Sequence, residues 1–280
     1  MPELPEVETV RRGLTRTLKG QRFTHIEARR KDLRWPLPTN LSTALTKRRI
    51  KSLERRAKYI LIHFEGNVSL LLHLGMSGRI VAEKASVKVV YEKHDHVIFF
   101  TPTTRLRFHD PRRFGMMDVL QTDKAHEHKL LHHLGPEPLS KAFTGAALLN
   151  RLKGKKTAIK LALMNQEIVV GVGNIYACEA LFYAGINPRK KAGKITAEEA
   201  TRLVAAVKQV LKRAIAKGGS SLRDYVQSDG ELGYFQHEFA VYGREGEKCK
   251  GCTCDVRKTG GVKRITQGQR STFFCPVKQK

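Results

Sequence analysis

Acidic residues are scarce in this chain. Its 280 residues carry 26 Asp and Glu against 52 Lys and Arg, a formal net charge of +26. That imbalance argues against an ordinary enzyme of a small neutral substrate. It points to a polyanionic partner, most simply nucleic acid, although a ribosomal or membrane-surface protein would share the composition. Long apolar runs are missing: no stretch is suited to span a bilayer and no secretory apolar region follows the N-terminus, so a cytoplasmic protein is expected. Internal repeats and low-complexity tracts are also absent. The five cysteines do not form an even disulfide set, and four of them lie between Cys249 and Cys275. In a reducing compartment such a cluster reads as a metal site before it reads as disulfides. The length is enough for a sizeable core and for two domains.

What is present begins with Met1-Pro2-Glu3-Leu4-Pro5-Glu6-Val7. If Met1 is trimmed, Pro2 carries the free α-amine. An α-amine titrates near about 7.7–8.0, so much of it is unprotonated near neutrality and can attack an electrophilic carbon to give an iminium ion. Glu3 stands beside it as a proton donor or acceptor, with Glu6 one helical turn on. The same residues also suit a plain helix start, with Val7, Val10, Leu14 and Leu18 as the buried stripe.

The helix expected from Glu3 to Lys19 stops at Gly20. Strand patterns follow at Phe23–Ala28, Tyr59–Phe64, Ser69–Leu74, Val87–Tyr91, Val97–Thr101 and Leu106–Phe108. A turn composition, Glu65-Gly66-Asn67, joins the second and third. Residues 1–120 therefore read as an antiparallel two-layered sheet carrying the N-terminal helix. Residues 121–140 read as a linker, with a short helical piece at His128–His133 and rigid punctuation at Leu134–Pro138. Residues 141–240 are helical: Leu148, Leu149 and Leu152 form one stripe and Ile159–Met164 another. Gly171-Val172-Gly173-Asn174 opens a third helix, and Thr196 with Glu199 forms a capping box for a long fourth. A loop from Gly218 to Phe235 follows, and the cysteine-bearing tail occupies residues 241–280.

Several stretches carry chemistry. Cys249-x2-Cys252-x-Cys254-x20-Cys275 has zinc-ribbon grammar, with Lys278 where a second C-x2-C would place sulfur and Cys254 as a substitute; a metal-free hairpin is the alternative. The basic run Lys263–Thr272, which includes Arg270, suits a hairpin laid along a nucleic-acid groove, or simply a basic surface. The helix start at Asn174 offers backbone N–H groups to a phosphate, or is a tight turn. Asp110-Pro111-Arg112-Arg113-Phe114-Gly115 offers an aromatic wedge for a base stack, unless Phe114 is core. Met76 sits in another loop, His94 and His96 are expected to share one face of a strand, and Lys58 precedes a strand where it can meet a phosphate or donate a proton.

Taken together, these stretches resemble the bacterial formamidopyrimidine-DNA glycosylases, also called 8-oxoguanine-DNA glycosylases. The resemblance runs from PELPEVET at Pro2–Thr9 through RRAKY at Arg55–Tyr59, HLGMSG at His73–Gly78, KHDHV at Lys93–Val97 and DPRRFG at Asp110–Gly115. It continues with LGPEPL at Leu134–Leu139, KKTAIK at Lys155–Lys160, VVGVGNIYA at Val169–Ala177, SDGELGYFQHE at Ser228–Glu238 and QRSTFFCP at Gln269–Pro276. It implies an α+β fold: an N-terminal helix plus antiparallel β-sandwich, a helix–two-turn–helix domain, and a C-terminal β-hairpin zinc-finger-like module, with DNA between the domains. It implies that Pro2 attacks C1′ of the damaged nucleotide, that Glu3 is acid and then base, and that Lys58 and Arg270 serve proton transfer and phosphate handling during β,δ-elimination. Met76, Arg112 and Phe114 match residues that fill the space of a flipped nucleotide. His94, Arg113, Lys156 and Asn174 match phosphate contacts.

The implied partner is double-stranded DNA bearing oxidised purines or abasic sites, handled by a monomer. The implied cofactor is one zinc, held by Cys249, Cys252 and Cys275 with Cys254 as fourth ligand, because Lys278 falls where the family has its last cysteine. Two alternatives are an endonuclease VIII-like enzyme for oxidised pyrimidines, whose N-terminus usually lacks the PELP form, and a non-catalytic DNA-binding relative, which would not need Pro2 and Glu3.

Overall fold

A computed structural model describes residues 2–88, 90–220 and 233–280. Met1, most of the 218–235 loop and the first residues of the SDGELGYFQHE stretch lie outside the described residues. The chain packs as two compact units, residues 1–132 with 217–234 and residues 133–216 with 235–280.

The first unit opens with α1 (Leu4–Leu18), one residue shorter at each end than its sequence pattern suggests. Val7, Val10, Leu14 and Leu18 are all at most 1% exposed, as a 3.6-residue period dictates. Strand β1 (His25–Ala28), the short helix α2 (Leu41–Leu45), and strands β2 (Ile50–Arg56), β3 (Tyr59–Phe64), β4 (Val68–His73), β5 (Arg79–Lys84), β6 (Asp95–Phe100), β7 (Thr104–His109) and β8 (Met116–Gln121) follow. They form two antiparallel four-stranded sheets, ordered β1-β6-β7-β5 and β2-β3-β4-β8. Both inner faces and α1 share one core, in which Phe23 touches Phe64 of one sheet and Phe99 of the other. The β3–β4 turn has Gly66 and Asn67 at φ of 82° and 58°, the left-handed pair that a tight hairpin needs.

Two expectations fail in this unit. Val87–Tyr91 is not a strand among its described residues; the strand lies earlier, at β5, where Arg79–Lys84 pairs with Thr104–His109. The pairing is selected by charge as well as by shape. Arg107 of β7 is buried and takes Glu83 of β5 at 2.6 Å and Asp95 of β6 at 2.7 Å, so β5 has to lie beside it. His128–His133 is a series of turns after a single 3-10 turn, Ala125–Glu127, not a helix. Leu131 is its one well-buried anchor.

The second unit contains α3 (Gly145–Leu152), α4 (Ile159–Met164), α5 (Asn174–Ala184) and α6 (Ala197–Ala216). Thr196 and Glu199 cap α6 reciprocally, at 2.9 and 3.2 Å. The double turn between α4 and α5 is stapled by Gln166, whose amide donates to the carbonyls of Met164 and Val172 and whose oxygen accepts from Gly171 N–H. α5 is buried on nearly every side. The tail adds α7 (Val256–Thr259) and the hairpin β9 (Lys263–Gln267) with β10 (Arg270–Phe274), turning at Gly268 and Gln269 with φ of 53° and 59°. The hairpin packs on α5 through Phe182, Val262, Phe273 and Cys275. The buried Glu179 carboxylate fastens the segment that leads into the tail by accepting from the backbone N–H groups of Ala240, Val241 and Tyr242. Burial raises the Glu179 pKa, with those three donors pulling the other way. Among the described residues, no helix is long and apolar enough to cross a membrane.

Candidate functional site

In the first unit, Pro2 and Glu3 are both buried at the mouth of α1. Glu3 is the N-cap residue, and its backbone N–H donates to Glu6 Oε2 at 2.9 Å. The other Glu6 oxygen accepts from Ser220 N and Oγ, at 2.8 and 3.1 Å. Glu6 thus ties the N-terminus to the Gly219–Ser220 segment. Gly219, at φ +81°, lies so close that a Cβ there would sit 2.9 Å from Glu6 Oε1. The spacing of Glu6 from Glu3 was visible in the sequence; its long-range partner was not.

Lys58 occupies the two-residue turn between β2 and β3 and is only 8% exposed. The residue before it, Ala57, has φ +54°, a left-handed conformation that a non-glycine residue adopts at a cost. Arg55 holds this turn by donating to the Ala57 carbonyl at 2.9 Å, and Glu8 in turn holds Arg55 at 3.3 Å. Burial pushes the Glu8 carboxyl up, but the guanidinium groups of Arg11, Arg12 and Arg55 outweigh it and leave the pKa lowered. On β4, the His73 ring packs at a tilt against Tyr59 with a centroid distance of 4.9 Å, and its Nδ1 accepts from Gly75 N–H at 3.0 Å. Burial, reinforced by the positive charges of Lys58 and Arg34, lowers the His73 pKa to about 4. His73 is therefore neutral near pH 7.

Met76, half-buried, and Arg112, Arg113 and Phe114, all exposed, lie on two loops that touch. Phe114 is 40% exposed, which removes the reading of it as a core residue, and the Arg112 guanidinium lies over its ring at 5.0 Å. Arg113 has φ +57° and donates its N–H to the Asp110 carbonyl. His94 precedes β6 and His96 lies within it, next to a bulge. Their rings are 6.1 Å apart, and His96 is buried against the Asp110 carbonyl at 2.9 Å. The His94 ring meets the edge of His109, which is held by Asp95 at 3.0 Å. No metal-binding group forms around these histidines among the described residues.

In the second unit, Lys156 is exposed on the irregular connection before α4. Asn174 opens α5, and its side chain is committed internally. Oδ1 accepts from the fully buried Lys160 Nζ at 2.5 Å, while Nδ2 donates to Ser271 O at 2.9 Å and to Tyr242 Oη at 3.4 Å. That amide joins the helix start to the hairpin strand where Arg270, exposed, is the first residue. The sequence alone assigns Lys160 no role. Its only signal was a lone cation inside the apolar run Ile159–Met164.

The four tail cysteines converge, with all Sγ atoms within 4.8 Å of one another. Cys249 and Cys254 are 3.3 Å apart, and Cys252 and Cys275 are 3.7 Å apart. A tetrahedral zinc with bonds of about 2.3 Å separates its sulfurs by roughly 3.8 Å, so the set fits such an ion. Burial opposes ionisation of the Cys252 thiol, but a backbone N–H and the neighbouring thiols lower its pKa to about 7; Cys249 is raised, chiefly by burial. Lys278 stays out of the cluster. Its backbone N–H donates to Cys275 Sγ, and its ammonium lies over the Phe182 ring at 4.2 Å.

Similarity to known proteins runs along the whole chain. A family profile described as the formamidopyrimidine-DNA glycosylase N-terminal domain matches residues 1–117, and one described as the formamidopyrimidine-DNA glycosylase H2TH domain matches residues 134–226. The formamidopyrimidine-DNA glycosylase of Ruegeria pomeroyi is 52% identical and that of Paracoccus denitrificans 54%, each aligned over 100% of both chains. Among solved structures, the Lactococcus lactis Fpg in complex with DNA containing an abasic site is 34% identical, with a TM-score of 0.89 over 99% of each chain. The MutM (Fpg) protein of Thermus thermophilus is 39% identical, with a TM-score of 0.87 over 99% of this chain and 98% of that one. With full-length similarity in both sequence and structure, the chain belongs to the formamidopyrimidine-DNA glycosylase family.

Proposed function

We propose that this protein is a bifunctional DNA glycosylase and abasic-site lyase that removes oxidised purines from duplex DNA. The observation that carries the reading is the N-terminus: Pro2 sits next to Glu3 at the buried start of α1, in a chain whose full length matches glycosylases. The Pro2 nitrogen attacks C1′ of the damaged nucleotide, the glycosidic bond breaks with its electron pair on the base, and Glu3 supplies the proton that sugar-ring opening needs. The resulting iminium acidifies the 2′ proton. Its removal expels the 3′ phosphate, and a second elimination expels the 5′ phosphate. Lys58, held in its turn by the Arg55–Glu8 pair, handles a proton in these steps, and Arg270 handles phosphate. His94, Arg113 and Lys156 grip the backbone electrostatically. Asn174 contributes from its helix start, its amide being spent on Lys160 and Ser271. Met76, Arg112 and Phe114 fill the stack where the nucleotide leaves it.

Cys249, Cys252, Cys254 and Cys275 would hold one zinc in this reading, with Cys254 standing in for the family cysteine at the Lys278 position. The ion would supply structural cross-linking of the finger and no chemistry at the sugar. Residues 1–120, 141–240 and 241–280 would act as the catalytic, helical and finger parts, joined by residues 121–140, in a monomer of the bacterial cytoplasm.

Borohydride trapping on a duplex bearing 8-oxoguanine tests the reading. The native protein is expected to form a covalent adduct, and Pro2→Gly or a protein retaining Met1 is expected to form none while still binding DNA. Normal trapping by an N-terminally blocked protein would make a lysine such as Lys58 the nucleophile and overturn it.

A further inference from the structure

Two loops of the first unit carry the side chains proposed to enter the base stack, and a single buried carboxylate joins them. Asp110 is fully buried at the end of β7. Its Oδ1 accepts from Ser77 Oγ at 2.7 Å, and its Oδ2 accepts from Gly115 N–H at 2.8 Å. Ser77 Oγ in turn accepts from Arg112 N–H at 3.2 Å. One oxygen therefore reaches the residue after Met76, and the other reaches the residue after Phe114. The Asp110 carbonyl is held from the opposite side by His96 and from within its own loop by Arg113 N–H.

The two loops also meet backbone to backbone. A Cβ on Gly75 would lie 2.3 Å from the Phe114 carbonyl carbon and 2.5 Å from Gly115 N, and one on Gly115 would lie 2.5 Å from the Phe108 ring. Both glycines serve close approach. Neither loop belongs to a strand, but both are anchored by ladders at their ends, where His73 pairs with Met116 and Arg79 with His109; what the ladders leave unset is the placement of the loop tips. A buried carboxylate with two donors of fixed direction carries the alignment of the ladders out to those tips.

We infer that Asp110 and Ser77 are positioning residues: a clasp that fixes the Met76 loop against the Arg112–Phe114 loop, so that the three side chains enter DNA as one rigid wedge. This rests on the proposed reading of Met76, Arg112 and Phe114 as fillers of the opened stack. Opening a duplex needs filler atoms in fixed relative positions, whereas a single strand has no stack to open. Loss of the clasp is therefore specific to duplex substrates and is felt only while the wedge is present.

The test is steady-state excision of 8-oxoguanine from duplex and single-stranded oligonucleotides by Ser77→Ala, Phe114→Ala, the double variant and Asp110→Asn, with a thermal melt of each. Loss of a hydrogen bond to a buried charge predicts that Ser77→Ala lowers kcat/KM on duplex by about tenfold and on single strands by less than about twofold. In the Phe114→Ala background the same change is expected to cost little more. Asp110→Asn keeps the shape, with its carbonyl accepting from Gly115 and its amide donating to Ser77, and is expected to retain most duplex activity. If Phe114→Ala is impaired on duplex but Ser77→Ala adds its full effect on top, the clasp is refuted while the wedge stands. If Phe114→Ala is itself unimpaired on duplex, the wedge reading falls and takes the clasp with it. Equal losses by Ser77→Ala on duplex and single strands refute the clasp and mark Ser77 as merely structural.

Discussion

His73 gives this fold an acid-sensitive joint. The ring is neutral, feels the charge of Lys58 and accepts the Gly75 N–H that begins the Met76 loop. Its pKa falls from 6.5 when unfolded to about 4 when folded. Because the folded value is the lower one, the unfolded chain binds the proton first. The contribution to stability is complete above pH 6.5 and is lost as pH falls toward 4. Integrating one such group gives a loss of about 1.4 kcal/mol at pH 5.5 and about 2.5 kcal/mol at pH 4.5. His73→Gln keeps a polar side chain and removes the titration. Urea melts of both proteins at about pH 7.5, 5.5 and 4.5 should show the variant losing less stability on acidification, by those amounts. Glu8 and Asp95, whose pKa values are lowered, also steepen the acid side, but they do so in both proteins. Parallel stability–pH curves for the two proteins would refute the neutral imidazole. Protonation at Nδ1 also deletes the Gly75 bond, but in the folded protein this happens only as the pH nears 4, so duplex activity should fall at lower pH than stability does.

Three further outcomes are expected. DNA binding should weaken steeply with salt, with a slope of roughly −3 in log K against log salt for the cationic contacts Arg113, Lys156 and Arg270; a slope near zero in a fluorescence titration would mean that the +26 charge is not used on DNA. Phe114→Ala should cost duplex excision about ten- to a hundredfold, from an unstacking penalty of a few kcal/mol, and spare single strands; equal losses on both would refute the wedge. Metal analysis should find one zinc per chain in the native protein and a site stripped by far milder chelation in Cys254→Ser; one firmly held zinc in both would remove Cys254 from the ligand set, and none in either would leave the hairpin standing by packing on α5.

Local rules made much of this protein readable from its sequence. The stripe of α1, the Gly66–Asn67 hairpin, the Thr196–Glu199 box and the Gly268–Gln269 turn each depend on residues within a few positions of one another, and the structure has them all. The motif set, in order along the chain, also identified the family, because so many separate stretches agree. Tertiary structure alone decided which strands exist where composition is ambiguous. Val87–Tyr91 has strand composition but, among its described residues, pairs with no strand, while the charged Arg79–Lys84 pairs with β7 and has its Glu83 held by Arg107.

The site divides in the same way. Residue types at Pro2, Glu3, Phe114 and the cysteines are what the sequence offers for the proposed chemistry. Ser220 reaching Glu6, Lys160 turning the Asn174 amide toward Ser271, and Asp110 joining two loops are contacts between residues far apart in the chain. Cys254 reaches Cys249 because the intervening loop curls back ahead of α7, which is capped by Asp255 and closed by Gly260 at φ +70°. The separation follows from physics. Dihedral preference and periodicity are properties of a few neighbouring residues and can be read along the chain, whereas burial of a charge demands a partner whose identity only the folded topology supplies.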